Sequence, residues 1–291
     1  MNVITGLPRS GSTLLCNILN QNDKFHATTT SILPAILSEI TASTCSTLEF
    51  KYMLNKNKEE TENRLKTALK SFSDSWHSIH NKEIIFDKSR GWVHHTKFLN
   101  EIYPESKMII IVRDLRNVFA SIEKQNRKTG LLFDNNQIQE KSIYGTADVL
   151  FSPQGLIGHC IQGIQDFFQR NFPAIIIKSV HDVDAVMKEI NKHNVLFVKY
   201  EQLANNPVLL MKILYAFLEE KEFEHDFKNI INTSDDPDGL YLYKYPHQGS
   251  GEIIPTDQQE WRQYMSQDIA DLIINKFDWY YQIFGYPTGT K

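Results

Sequence analysis

The sequence predicts an α/β fold: a central, mainly parallel sheet of about five strands flanked by helices. Three observations carry this. Short apolar runs recur along the 291 residues, helical periodicity fills the stretches between them, and four chemically distinctive segments each follow the end of a candidate strand. Alternating strand and helix signals imply a parallel sheet covered on both faces. Sheets of that kind bind ligands at the carboxyl ends of their strands.

The candidate strands are Val3–Thr5, Phe25–Ala27, Ile84–Phe86, Met108–Val112 and Val195–Val198. Ala174–Ile177 reads either as a sixth strand or as the apolar side of an excursion before His181. Helices are expected at Thr61–Ile79, Trp92–Ile102 and Leu115–Asn126, and the charge-rich stretch from Lys56 to Lys70 reads as a solvated helix face. Gln125 to Ser152 has weak periodicity and many polar residues, the character of an insertion or lid. Nothing resembling a repeat or a linker divides the chain. One domain over 1–291 is expected, with variable segments around 30–80 and 126–180.

Hydrophobic content of 41% and charged content of 23% are those of an ordinary globular protein. A net charge of −4 argues against nucleic acid or an anionic membrane as the main partner, so any group of cations is a local feature. Cys16, Cys45 and Cys160 are too few and too scattered for a disulfide framework or a metal-ligand pattern. Cys16 reads as a small residue near the core. There is no 18-residue apolar run and no basic stretch leading into an apolar one at the N-terminus, and the expected location is cytoplasmic.

The first strand runs directly into Gly6-Leu7-Pro8-Arg9-Ser10-Gly11-Ser12-Thr13, followed by the apolar helical positions Leu14, Leu15, Ile18 and Leu19. A glycine-bounded, hydroxyl-rich loop between a buried strand and a helix is a phosphate cradle, because loop N–H groups and the open helix N-terminus face one anion together. The spacing is that of the P-loop G-x-x-x-x-G-K-[ST], which makes the fold P-loop NTPase-like, with one change. Ser12 stands where a nucleotide triphosphatase needs lysine, and Arg9 supplies a cation from within the loop.

A second segment, Met108-Ile109-Ile110-Ile111-Val112-Arg113, ends an apolar strand in arginine. A helix then starts with Asp114 as a candidate N-cap. Ser121 follows Arg113 by eight residues, about two turns into that helix. Arginine as a bidentate donor and serine as a neutral one can grip a second phosphate.

The two motifs together resemble the sulfotransferases that use 3′-phosphoadenylyl sulfate (PAPS) as donor and release 3′-phosphoadenosine 5′-phosphate (PAP). The resemblance implies that Arg9, Ser10, Gly11, Ser12, Thr13 and Leu14 hold the 5′-phosphosulfate, and that Arg113 and Ser121 hold the 3′-phosphate. Phe86-Asp87-Lys88-Ser89-Arg90 is similar to the strand end that carries a catalytic lysine in tyrosylprotein sulfotransferases, which gives Lys88 that role beside Arg9. Val198-Lys199-Tyr200-Glu201-Gln202-Leu203, with Pro207 shortly after, is similar to a family segment whose tyrosine contacts the adenine, so Tyr200 takes that part. The resemblance covers roughly the first 125 residues and returns at Val195–Leu218. It implies in-line sulfonate transfer to a hydroxyl or amine without a metal ion. Charge that grows on the leaving phosphate oxygen is then met by positioned cations.

No general base is assigned by these motifs. The tyrosylprotein enzymes carry a glutamate on the stretch that here reads Phe25-His26-Ala27-Thr28-Thr29-Thr30-Ser31, which has no carboxylate. The cytosolic enzymes carry a histidine where this chain has Arg90. His95, His94 and, less directly, His26 are the candidates by proximity. A late loop, Tyr245-Pro246-His247-Gln248-Gly249-Ser250-Gly251-Glu252, loosely matches the one that covers the 3′-phosphate in the family, and Lys244 and His247 could reach that anion. The aromatic tail (Trp261, Tyr264, Trp279, Tyr280, Tyr281, Phe284, Tyr286) reads as helix packing. Thr30–Leu54 and Gly130–Gly155 are expected to be the variable loops that select a small-molecule, saccharide or peptide acceptor.

Two other functions stay open at this point. A P-loop kinase would use Ile84-Ile85-Phe86-Asp87 as its Mg²⁺-binding strand, but Ser12 and the Arg113…Ser121 pair argue against it. A non-catalytic nucleotide-binding module would have no use for both Arg9 and Lys88.

Overall fold

Six parallel strands form the sheet, one more than the five apolar runs predict. The computed structural model describes residues 1–129, 147–178, 183–233 and 249–289. The strands are β1 (Asn2–Gly6), β2 (Phe25–Ala27), β3 (Ile84–Lys88), β4 (Met108–Val112), β5 (Ile175–Ile176) and β6 (Val195–Lys199), in the order β2-β3-β1-β4-β6-β5. The two-residue β5 resolves the ambiguity at Ala174–Ile177 in favour of a strand; it pairs through Ile175 with Leu196 and through Ile176 with Phe197. His181 lies outside the described residues, as does 130–146 of the expected insertion.

Each long strand is apolar because both of its faces are covered. Val3, Met108, Ile110, Val112, Val195 and Phe197 point into one core, and Ile4, Ile109, Ile111, Leu196 and Val198 into the other. That alternation is the period of two of an extended chain. The first core is closed by α2 (Leu33–Ser46), α5 (Thr96–Ile102), α6 (Leu115–Thr129), α7 (Leu156–Gln169), α11 (Gln267–Lys276) and α12 (Asp278–Phe284). The second is closed by α1 (Ser12–Leu19), α8 (Val183–Glu189), α9 (Tyr200–Asn205) and α10 (Pro207–Leu218).

Two expectations change locally. Thr30–Leu54, expected as a variable loop, is largely helical: α2 is followed by α3 (Leu48–Lys56), and Thr47 caps the second by accepting the Phe50 N–H. Trp92–Ile102, expected as one helix, is a 3₁₀ turn (Arg90–His94) and then α5. The buried Trp92 indole donates to the Asp87 carboxylate at 2.6 Å, which tightens the chain into the turn before a helix can begin. The charged helix α4 (Lys58–His77) is largely exposed and carries Arg64–Glu60 and Lys70–Asp74 pairs one turn apart.

The strand order determines what meets what. Pairing runs Val3↔Asp87 and Ile4↔Lys88 on one side of β1, and Gly6↔Ile111 on the other; Val112↔Lys199 then joins β4 to β6. The ends of β3, β1, β4 and β6 are therefore neighbours, with the direction of winding changing at β1. That crevice is where open α/β sheets take their ligands. Among the described residues no helix is long and apolar enough to cross a membrane.

Candidate active site

The loop after β1 is shaped by two glycines. Gly6 has φ +141°, and a Cβ there would stand 2.0 Å from the Ile111 carbonyl oxygen, so the tight turn off the sheet requires glycine. Gly11 has φ +84°, and a Cβ there would meet the Tyr200 ring at 2.5 Å. Arg9 is also left-handed, with φ 58°. The Ser10 hydroxyl is fully buried and donates to the Leu7 carbonyl at 2.6 Å. Its side chain ties the loop together, while the side chains of Arg9, Ser12, Thr13 and Leu14 line the cavity. Helix α1 starts with no side-chain cap and no acidic residue in its first turn, leaving its first N–H groups for an anion.

Arg113, at the end of β4, is 6% exposed, and its guanidinium is held on several sides. Nη1 donates to the Arg9 carbonyl at 2.9 Å, and the group lies 4.3 Å above the Tyr200 ring. Nη2 is 3.9 Å from Glu260, whose other oxygen pairs with Lys124 at 2.7 Å. Arg113 Nε is buried with no hydrogen-bond partner among the described residues. A buried charged donor without a partner is costly, and its presence points to a ligand acceptor. Ser121 accepts a hydrogen bond from Arg9 Nε at 3.1 Å, and the Asp114 carboxylate caps α6 through the Arg116 N–H at 2.9 Å.

Lys88, at the end of β3, is 8% exposed. Its ammonium donates to the Thr29 carbonyl and reaches Thr13 Oγ1 at 3.5 Å, which aims it at the mouth of the loop. Asp87 is turned the other way and fully buried. It accepts from Trp92 and from Ser31 at 2.6 Å each, with His77 Nε2 3.0 Å away. A carboxylate so engaged, and not facing the cavity, does not serve as the Mg²⁺-binding aspartate of a kinase.

These groups border one cavity of about 1040 Å³. Its wall on the β4–β6 side includes Arg113, Ser121, Tyr200, Gly249 and Glu260. On the β3 side it includes Thr30, Lys88, Arg90, His159 and Cys160. Lys244, Tyr245, His247 and Gln248 of the late loop lie outside the described residues; Gly249 is fixed by Asn17, which donates to its carbonyl at 2.8 Å.

None of His95, His94 and His26 is among the cavity's lining residues. His95 Nε2 is hydrogen-bonded to Ser38 at 3.1 Å, and burial lowers its pKa. His26 stacks on His80 at 3.7 Å and is likewise lowered by burial. His94 stacks on His159 at 4.1 Å; partial burial, helped by His159, pushes its pKa down to about 4. His159 itself, in the first turn of α7, lines the cavity. The sequence offered only the apolar periodicity of α7 around His159, with no motif attached.

The aromatic tail packs, as expected, but beneath the site. The Tyr280 hydroxyl donates to the Arg113 carbonyl at 2.9 Å, Tyr281 donates to Asp114, and Tyr286 donates to the buried Glu201, whose pKa burial raises. Glu201 in turn accepts the Asp114 N–H at 3.1 Å. The backbone that carries Arg113 and Tyr200 is thus fixed from below. Lys124, Glu260 and His159 are site residues that no sequence motif indicated.

Comparison with known proteins identifies the family. The profile of the sulfotransferase family matches residues 3–149, β1 through α6 included. No curated protein matches the chain. Among solved structures, the sulfotransferase domain from the curacin biosynthetic pathway is 14% identical, with 96% of this chain and 97% of that one covered and a TM-score of 0.50. The sulfotransferase domain of the Synechococcus PCC 7002 olefin synthase is 17% identical over 96% and 94%, at 0.48. Mouse sulfotransferase SULT7A1 complexed with PAP is 12% identical over 96% and 82%, at 0.45. At 14% identity the curacin-pathway match speaks to fold alone, whereas the profile accounts for just over half of the residues: the chain belongs to the sulfotransferase family, enzymes that transfer a sulfonate group.

Proposed function

We propose that the chain takes its sulfonate from 3′-phosphoadenylyl sulfate and passes it in line to a hydroxyl or amine acceptor bound on the β3 side of the cavity. The carrying observation is the buried, unpartnered Nε of Arg113 beside Ser121 and Tyr200, in the same cavity as the uncapped start of α1. Two anion-binding features on adjacent strand ends suit a donor with two separated phosphates. Arg113 and Ser121 would bind the 3′-phosphate, the Tyr200 ring would face the adenine, and the loop from Arg9 to Leu14 would bind the 5′-phosphosulfate.

In the transfer, the bond from sulfur to the 5′-phosphate oxygen breaks as the acceptor oxygen or nitrogen bonds to sulfur. The electron pair stays on the phosphate of PAP. Lys88 and Arg9 meet that growing charge, Ser12 and Thr13 add neutral donors, and such fixed groups stabilise a transition state without reorganising. The acceptor proton needs a base, and His159 is, among the described residues, the histidine on the cavity wall.

Transfer of labelled sulfonate from PAPS across an acceptor panel tests the reading, with PAP, ATP and ATP plus Mg²⁺ compared as stabilising ligands. Turnover with PAPS, and stabilisation by PAP that needs no Mg²⁺, are expected. Strong Mg²⁺-dependent protection by ATP would overturn it. His159→Gln should lower kcat, with the largest loss for weakly acidic acceptors; an equal loss for all acceptors would remove the base assignment.

A further inference from the structure

We infer that the acceptor is itself an anion, a hydroxylated or amino carboxylic acid, and that Arg90 holds its carboxylate. This rests on the sulfotransferase reading of the same cavity.

Arg90 opens the 3₁₀ turn after β3, two residues beyond Lys88, and lines the cavity on the side of His159 and Cys160. Its backbone is anchored, since its carbonyl accepts from Thr5 on the neighbouring strand at 3.2 Å. Its side chain is not. Among the described residues the side chain of Arg90, a half-buried residue, has no hydrogen bond and no carboxylate partner. The other cations of the cavity differ in this respect. Arg9 bonds Ser121, Lys88 bonds the Thr29 carbonyl, and Arg113 and Lys124 share Glu260.

Among the described residues, the neighbours of Arg90 do not compensate its charge. Cys160 is close enough for Arg90 to pull its thiol pKa down, yet burial keeps that pKa up at about 11, so the thiol is neutral. Among the described residues, the carboxylates on the cavity wall are Asp257 and Glu260. Glu260 is taken by Lys124, and Asp257 accepts the Gln259 N–H at 2.8 Å in the C-terminal segment. A cavity-lining guanidinium that has no counter-ion among the described residues is available to an anionic ligand. Its planar fork matches a carboxylate in two parallel hydrogen bonds. A carboxylate gripped there would bring the rest of the acceptor between Lys88 and His159, where the transferring group and the base are proposed to meet.

The experiment compares hydroxy acids with their own methyl esters as acceptors for labelled sulfonate from PAPS. Para-hydroxyphenylacetate, meta-hydroxybenzoate and β-hydroxybutyrate are the probes, and binding of each to the enzyme–PAP complex is measured alongside. The acids should exceed their esters in kcat/KM by about tenfold or more, the scale of a hydrogen-bonded charge. Arg90→Gln should bring that ratio to about one, with Arg90→Lys between, and PAP affinity of each variant reports an intact donor site. Esters that match the acids, or acids that do not bind the enzyme–PAP complex, overturn the inference. So does an equal fractional loss for acid and ester in Arg90→Gln, which would make Arg90 a ligand of the sulfonate. A wild-type chain that binds no PAP fails differently: it overturns the donor reading, and this inference with it.

Discussion

Arg9 Nε donates to Ser121 Oγ at 3.1 Å, across 112 residues of sequence, and joins the loop after β1 to the second turn of α6. Arg113 completes the link by donating from Nη1 to the Arg9 carbonyl at 2.9 Å. The two proposed phosphate sites are therefore joined by hydrogen bonds.

Arg113→Ala should weaken PAP and PAPS by about 1.5–3 kcal/mol, the worth of hydrogen bonds to a charged group. Adenosine 5′-phosphosulfate, lacking the 3′-phosphate, should lose much less. Calorimetric titration of the three ligands decides it; an equal loss for all of them would assign Arg113 a structural role only.

Lys88→Ala should lower kcat by roughly a hundredfold or more, as deletion of one preorganised donor to developing charge does. The donor KM should move only a few-fold, because the phosphates keep the loop, Arg113 and Ser121. A raised KM with kcat near wild type would make Lys88 a ground-state ligand. A lower Tm with unchanged kcat per folded molecule would give Lys88 a structural role, through bonds such as that to the Thr29 carbonyl.

Glu260→Gln should tighten PAP. The Glu260 carboxylate sits 3.9 Å from Arg113 and 2.7 Å from Lys124, where it opposes an incoming phosphate dianion. Removing the charge frees both cations, and the gain should be about 0.2–1 kcal/mol, up to roughly fivefold. It should shrink as salt is raised. Weaker PAP binding in Glu260→Gln would instead show that Glu260 orients the two cations.

Gly11→Ala should destabilise the protein for two separable reasons. The left-handed backbone at φ +84° costs about 1–2 kcal/mol for a residue with a Cβ, and that Cβ would also stand 2.5 Å from the Tyr200 ring. In a Tyr200→Ala background only the first cost should remain. A double-mutant cycle on denaturant unfolding separates them; simple additivity would mean that the ring gives way without penalty.

His225 should make the fold acid-sensitive. It is buried against Tyr215, with Nε2 3.1 Å from the hydroxyl, and burial pushes its pKa down to about 4 from 6.5. Below pH 6.5 the unfolded chain takes a proton that the folded chain refuses. Stability is therefore lost as pH falls from about 6.5 towards 4, by at most about 1.4 kcal/mol per unit. Below pH 4 both states are protonated and the loss levels off. His225→Gln should flatten the stability profile in that window. An unchanged slope would assign the acid sensitivity to other groups.

The sequence by itself determined the local pieces. Five apolar runs specified five strands because a strand covered on both faces has to be apolar throughout, and Met108–Val112 reads that way residue by residue. Gly6 and Gly11 announced the tight loop after β1, since at both positions a positive φ goes with a neighbour that leaves no room for a Cβ. Arg113 and Ser121 were legible because eight residues is two helical turns. Everything that depends on who lies beside whom was decided by the tertiary structure. The order β2-β3-β1-β4-β6-β5 brings Lys88, Arg9, Arg113 and Tyr200 to one crevice, and no local pattern encodes that order. Glu260 reaches Arg113, Tyr280 supports the Arg113 backbone and His159 lines the cavity with Lys88, across sequence separations that periodicity cannot span. Two-residue β5 and the turn that replaces the start of the 92–102 helix were hidden for the same reason. Pairing with β6 makes the one, and a buried indole bonded to Asp87 makes the other.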